Sequence, residues 1–106
     1  GPVRCAARSC LDGLMTVYAV EYTYTNDTET RDRVRPEHRA YLRSRLESGD
    51  LLASGPFAEG GALLLLSAAS RESLDALLAG DPFAAAGVIE STAVREWDPV
   101  IGPWAS

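Results

Sequence analysis

Four consecutive leucines, Leu63 to Leu66, sit inside the segment Ala62–Ala68 and constrain the fold more than any other feature of the chain. A short apolar run bounded by turn residues reads as a strand, and because successive strand side chains point to opposite faces, this one cannot be apolar on one side only. Both faces of its sheet need cover.

Glu59-Gly60-Gly61 supplies a tight turn before the run, so Leu51–Phe57 is expected to pair with it as a hairpin. Gly55-Pro56 gives that partner an irregular or edge-like end, since proline cannot donate to a central ladder. Thr16–Tyr24 is dense in β-branched and aromatic residues, with Tyr18, Val20, Tyr22 and Tyr24 on one alternating set. Val88–Trp97 has the same strand character. Asn26–Arg35 carries three acids and three arginines with almost no apolar content and reads as a solvated loop.

Two helices are expected between these strands. Pro36–Ser48 has proline at a first position and Gly49 as a left-handed stop, which makes about three turns. Counting from His38, Tyr41, Leu42 and Leu46 share its face, so the chain's one imidazole points inward with the apolar stripe. Ser70 caps the second helix, whose Leu74, Leu77 and Leu78 stripe ends at Gly80. Asp81-Pro82-Phe83 then repeats the grammar of cap followed by proline, and Gly87 closes a single helical turn. Asp98-Pro99 and Gly102-Pro103 make the tail irregular.

The order is strand, helix, strand, strand, helix, strand. That is the βαββαβ pattern of an α+β ferredoxin-like fold, a four-stranded antiparallel sheet with two helices on one face. Two short helices cover one sheet face, while the leucine run and the tyrosine set leave both apolar. The uncovered face is therefore expected to be a homodimer interface.

With 106 residues, 46% of them hydrophobic and 24% charged, the chain suits one domain with one core. The net charge of −5, with all ten basic residues arginine, disfavours a nucleic-acid partner, which needs a clustered basic face. No stretch approaches the roughly 20 apolar residues of a membrane span. Cys5 and Cys10 fall outside the expected fold, so its cysteine-free body fits a reducing, cytoplasmic setting. Gly1-Pro2 resembles the remnant of a cleaved tag; residues 1–14 are expected to be a poorly ordered extension and residues 15–106 the domain.

Five residues are candidates for a site. Imidazole takes and gives protons near neutral pH, which suits His38 to general acid/base work, although a lone histidine is commonly structural. Asp81 is a natural helix cap, and a carboxylate there can also orient an imidazole. Arg35 could grip a substrate carboxylate with its planar fork or simply be solvated. Ser54 could bind a ligand or its own turn. Tyr22, in a stripe with Tyr18 and Tyr24, could line a pocket or serve as packing surface. There is no Cys/His metal pattern, phosphate loop, dinucleotide fingerprint or serine elbow, so no cofactor and no metal are expected.

Arg35-Pro36-Glu37-His38-Arg39-Ala40-Tyr41-Leu42, Gly49-Asp50-Leu51-Leu52-Ala53-Ser54-Gly55-Pro56, Asp81-Pro82-Phe83 and Val94-Arg95-Glu96-Trp97 together resemble the YCII-related family of the dimeric α/β barrel superfamily. The resemblance covers roughly residues 15 to 98 and implies a ferredoxin-like protomer whose sheets pair into a barrel-like dimer. It also implies that His38 lies near Asp81. Characterised members include a dehydrochlorinase of a chlorinated hydroxyquinol, and related barrels include muconolactone isomerases. The expectation is a cofactor-independent lyase or isomerase acting on a small aromatic or carboxylated metabolite, with His38 and Asp81 catalytic and Arg35, Ser54 and Tyr22 binding substrate. The alternatives are a non-catalytic small-molecule-binding or accessory homodimer, and a structural dimerisation module. The N-terminal extension and the Ile101–Trp104 tail depart from the family pattern and could cap or crowd a pocket.

Overall fold

Two antiparallel strands form the centre of the sheet: β1 (Thr16–Tyr24) and β3 (Ala62–Ala68), with Val20 opposite Leu64 and Tyr18 opposite Leu66. A computed structural model describes residues 15–105; the expectations for the tag remnant, Cys5, Cys10 and the rest of residues 1–14 lie outside them. Strand β2 (Leu51–Pro56) flanks β3, and β4 (Ile89–Trp97) flanks β1, giving the order β2-β3-β1-β4 with every neighbour antiparallel. The helices are α1 (Thr28–Ser48), α2 (Arg71–Ala79) and the single turn α3 (Pro82–Ala85). This is the ferredoxin-like α+β arrangement, with α3 added before the last strand.

Register divides the leucine run between two environments. Leu64 and Leu66 lie beside Tyr18, Val20 and Tyr22 on the helix side, and all five are at most 5% exposed in a core shared with Leu42 of α1 and Leu74 of α2. Leu63 and Leu65 fall on the opposite face, in register with Glu21 and Ala19 of β1. That face is mixed rather than wholly apolar. An Arg95–Glu21 ion pair of 3.0 Å crosses it between β4 and β1.

The first helix departs from expectation. It starts at Thr28, so most of the segment read as a loop is helical and Pro36 lies inside the helix instead of opening it. Asp27 caps this earlier start, its side chain accepting from the Thr30 N–H at 3.1 Å. The added turns carry no apolar stripe. Their side chains are held by polar contacts: Arg35 reaches Asp32 at 2.6 Å, and Arg31 donates to the Thr25 carbonyl at 3.1 Å. Pro36 lacks the N–H that the Asp32 carbonyl would accept, yet the helix runs on to Gly49, whose φ of 92° ends it in the left-handed conformation. His38 and Leu42 are the buried residues of α1, with Tyr41 half-buried. Leu46, expected on the same inward face, is 53% exposed and lines surface grooves instead.

Gly61 fixes the hairpin between β2 and β3. Its φ is +83°, and a Cβ there would stand 2.6 Å from the Tyr22 carbonyl oxygen, so this position admits glycine alone. The turn sets the end of β3 against the end of β1 that carries Tyr22.

Candidate active site at the His38 and Asp81 pair

Three elements converge on one carboxylate. Asp81 caps α3, and Pro82 behind it takes the first helical position, where a missing N–H costs nothing. Its Oδ1 accepts from the Phe83 N–H at 3.0 Å and lies 2.8 Å from Nδ1 of His38. Its Oδ2 accepts from the Tyr22 hydroxyl of β1 at 2.9 Å. Asp81 is 1% exposed, Tyr22 2% and His38 8%. An ionised carboxylate accepts and never donates, so with Nδ1–H as the third donor every polar partner of Asp81 is matched.

That match assigns the tautomer of neutral His38: the proton sits on Nδ1, and Nε2 carries the free lone pair. Every fully enclosed side-chain nitrogen and oxygen among the described residues has a hydrogen-bond partner. Nε2 has no hydrogen-bond partner among the described residues. The ring plane is set by Phe83, stacked on it at 3.8 Å between centroids and 6° between planes. Phe83 in turn meets Tyr24 edge-on at 5.6 Å and 84°. The imidazole is thus held by one hydrogen bond and one parallel ring.

Burial, with the Asp81 charge next, pushes the Tyr22 hydroxyl far above the usual tyrosine range. Tyr24 shifts the same way for the same two reasons, opposed by the Arg31 and Arg35 charges. Arg31 lies over the Tyr24 ring at 4.7 Å. At positions 31, 35 and 38, successive turns of α1 thus bring two arginines and the histidine to the Tyr24 and Phe83 side.

Of the five expected site residues, the structure joins His38, Asp81 and Tyr22 in one buried cluster. Tyr22 spends its hydroxyl on Asp81. Arg35, one turn before His38, is half-buried and ion-paired with Asp32. Ser54 is exposed on β2, in a shallow groove of about 380 Å³ whose floor includes Leu42, the residue one turn beyond His38. Sequence reasoning gave no role to Phe83 or Arg31, and it offered Tyr24 only as pocket lining or packing surface together with Tyr18 and Tyr22. Phe83 had a signal, its place two residues after Asp81 in the Asp-Pro-Phe turn. Arg31 had none once its segment was read as a loop. No group of three or more His, Cys, Asp or Glu side chains converges as a metal site among the described residues. No helix among them is long and apolar enough to cross a membrane.

The Ile101–Trp104 tail lies away from this cluster. Trp104 lines a cleft of about 680 Å³ with Val17 and Trp97, at the opposite end of β1. From Val17 to Tyr24 the strand spans roughly 23 Å.

The model of the YCII-related domain matches residues 14–98. The chain belongs to the YCII-related family. No curated protein matches it in sequence. Among solved structures it is similar to the 5-chloro-2-hydroxyhydroquinone dehydrochlorinase of Burkholderia phenoliruptrix AC1100 in complex with 2,5-dihydroxybenzoquinone. That likeness has a TM-score of 0.69 at 20% identity and covers 77% of this chain and 93% of that one. It is also similar to a NIPSNAP family protein of Agrobacterium tumefaciens strain C58, with a TM-score of 0.51 at 22% identity over 86% of this chain and 96% of that one. At these identities the likenesses show the fold.

Proposed function

We propose that this chain is a cofactor-independent lyase or isomerase that moves a proton on a small aromatic or carboxylated metabolite through Nε2 of His38. The observation that carries this reading is a ring whose Nδ1 is bound to a buried carboxylate while its Nε2 has no hydrogen-bond partner among the described residues. With Nδ1–H donated to Asp81, Nε2 takes a proton as general base, and the carboxylate stabilises the imidazolium that results. The same nitrogen then returns the proton as general acid. A positioned acid/base of this kind contributes about 10² to 10⁴ in rate. Arg35, beside the Tyr24 edge of the cluster, supplies a cation for a substrate carboxylate once it exchanges its Asp32 partner, and Ser54 supplies a hydroxyl from the neighbouring groove. The solved dehydrochlorinase of the same fold, which acts on a chlorinated hydroxyquinol, supports this class of substrate.

The protein acts as a homodimer in this reading, with a second copy covering the open sheet face around Ala19, Leu63 and Leu65. Its body, cysteine-free from residue 15 onward, suits the reducing cytoplasm.

The test is a thermal-stabilisation screen of small acids, lactones and phenols on the wild type and on His38→Ala, with product analysis of each hit. Turnover of a hit by wild type, lost in His38→Ala, is the expected result. Equal turnover by both proteins rules the mechanism out. A second reading, a non-catalytic binding or accessory homodimer, draws on the side-chain exposure of His38, just 11%. Saturable binding without product that survives His38→Ala is its signature.

A further inference from the structure

Tyr41 moves no proton in the proposed chemistry, yet it ties the helix that carries His38 to the segment that carries Asp81. It lies three residues beyond His38 on α1, a spacing at which side chains are neighbours on one helix face. Its hydroxyl donates to the Leu77 carbonyl of α2 at 2.6 Å, across 36 residues of sequence. That carbonyl belongs to the last turn of α2, where carbonyls lack partners further along the helix. The Gly80 N–H reaches the same oxygen at 3.2 Å, and Asp81 follows directly. Burial raises the Tyr41 hydroxyl above the ordinary tyrosine range, against the Arg45 charge, so it stays a donor through neutral pH.

Gly80 is shaped by this contact. Its φ of −79° and ψ of −8° are right-handed and open to any residue, so its backbone conformation does not call for glycine. The space does: a Cβ here would stand 2.7 Å from the Tyr41 hydroxyl oxygen and 3.1 Å from the ring carbon that bears it. The residue before Asp81 is thus pressed against the Tyr41 ring.

We infer that Tyr41 is a positioning residue for the proposed proton transfer: it fixes α1 against the end of α2 and so holds Nδ1 of His38 within reach of Asp81. The inference rests on the acid/base role proposed for His38. Asp81 has its own hold on the sheet through the Tyr22 hydroxyl, and Phe83, stacked on the imidazole, belongs to the same turn as Asp81. Those contacts place the carboxylate and its ring neighbour. On the helix side, Leu42 packs α1 into the core, but apolar burial is non-directional and sets no position along the helix axis. The Tyr41 bond is directional and sets one. An N–H···O bond leaves its ordinary range beyond about 3.2 Å, so from 2.8 Å a slip of α1 by roughly 0.4 Å already weakens the His38–Asp81 bond.

The Nδ1 proton of His38, the chain's one histidine, reads this geometry in the full chain without a substrate. In ¹⁵N-labelled wild type it is expected as a single resonance protected from exchange with water. Tyr41→Phe keeps the ring and deletes the donor, and exchange of the His38 proton is expected to quicken about tenfold, the factor that the net worth of one hydrogen bond allows. Leu66→Val, a packing loss in β3 that leaves the Tyr41 hydroxyl in place, is expected to lower the urea midpoint and leave that exchange unchanged. Gly80→Ala quickens it in the wild type and adds less in the Tyr41→Phe background, since both act through one contact. With a substrate from the stabilisation screen, Tyr41→Phe lowers kcat about 10- to 10²-fold and leaves KM little changed. Exchange that Tyr41→Phe does not quicken, or that Leu66→Val quickens equally, overturns the inference and leaves the role proposed for His38 standing. A wild type without the protected Nδ1 proton overturns both.

Discussion

Nδ1 of His38 on α1 lies 2.8 Å from Oδ1 of Asp81 at the cap of α3, across 43 residues of sequence. The same carboxylate caps α3 and receives the Tyr22 hydroxyl, so a local turn, a helix and the central strand share one buried acceptor. Altering any of the three partners alters the other two.

Asp81→Asn replaces an acceptor-only group with one that can donate from one side and so unsettles the His38 tautomer. With a substrate in hand, kcat is expected to fall about 10²- to 10⁴-fold, and ¹⁵N spectra should show His38 losing its single Nδ1–H form. Asp81→Ala also removes the cap and leaves the Tyr22 hydroxyl buried without a partner. Urea unfolding should register a loss of about 2 to 4 kcal/mol. A loss under about 0.5 kcal/mol would count against the shared-acceptor picture.

Tyr22 carries a pH dependence of known sign. Its hydroxyl is raised by burial and by Asp81, so the folded state keeps this proton when the unfolded chain, at an ordinary tyrosine value near 10, has released it. The stabilisation is complete below about pH 10 and declines as pH rises beyond it. Urea midpoints measured from pH 8 to 11 should therefore fall more steeply for wild type than for Tyr22→Phe. Parallel slopes would place the hydroxyl in solvent. At neutral pH, Tyr22→Phe should cost about 1 kcal/mol.

Gly61→Ala tests the hairpin. Positive φ and a Cβ 2.6 Å from the Tyr22 carbonyl oxygen cannot both be relieved without moving β1 or the turn. A destabilisation of at least about 2 kcal/mol is expected, together with a weakened Tyr22–Asp81 contact visible in the Tyr22 hydroxyl resonance. A neutral substitution would refute the register assigned here.

Pro36→Ala tests the length of α1. If Pro36 opened the helix, alanine would change little; inside the helix, the new N–H can bond the Asp32 carbonyl. A gain of about 1 to 2 kcal/mol is expected after allowing for proline's restriction of the unfolded chain. Amide exchange should also show protection in residues 31 to 35.

Leu63→Glu tests the open face. It sets a second carboxylate in register with Glu21, on the face assigned to the second copy. Light scattering at micromolar concentration should give twice the protomer mass for wild type and the protomer mass for the variant. A monomeric wild type would remove the dimer from the proposal.

The strands and the two main helices were readable because their patterns are dense. The Thr16–Tyr24 strand, the Ala62–Ala68 run and the Leu74, Leu77, Leu78 stripe each repeat a period that one structure satisfies. The start of α1 was unreadable for the opposite reason. Residues 28–35 have Val34 as their one large aliphatic residue, and the Asp27 cap and the Asp32–Arg35 pair leave no hydrophobic trace. Pro36 then imitated a helix start. The pairing of His38 with Asp81 was foreseen through the family resemblance, not through spacing, and the parts played by Tyr22 and Phe83 around it were not foreseen.

By itself, the sequence determined the order of elements, the strand built on the β3 leucines and the cap at Asp81, since periodicity and turn chemistry act within a few residues of one another. Which side chains meet was decided by the tertiary structure alone. Tyr22, His38 and Asp81 are distant along the chain. They come together because the antiparallel register sets Tyr22 at one end of the sheet, under the turn of α1 that carries His38 and beside the cap of α3. Register and helix placement follow from burial summed over the whole core, a quantity no local stretch contains.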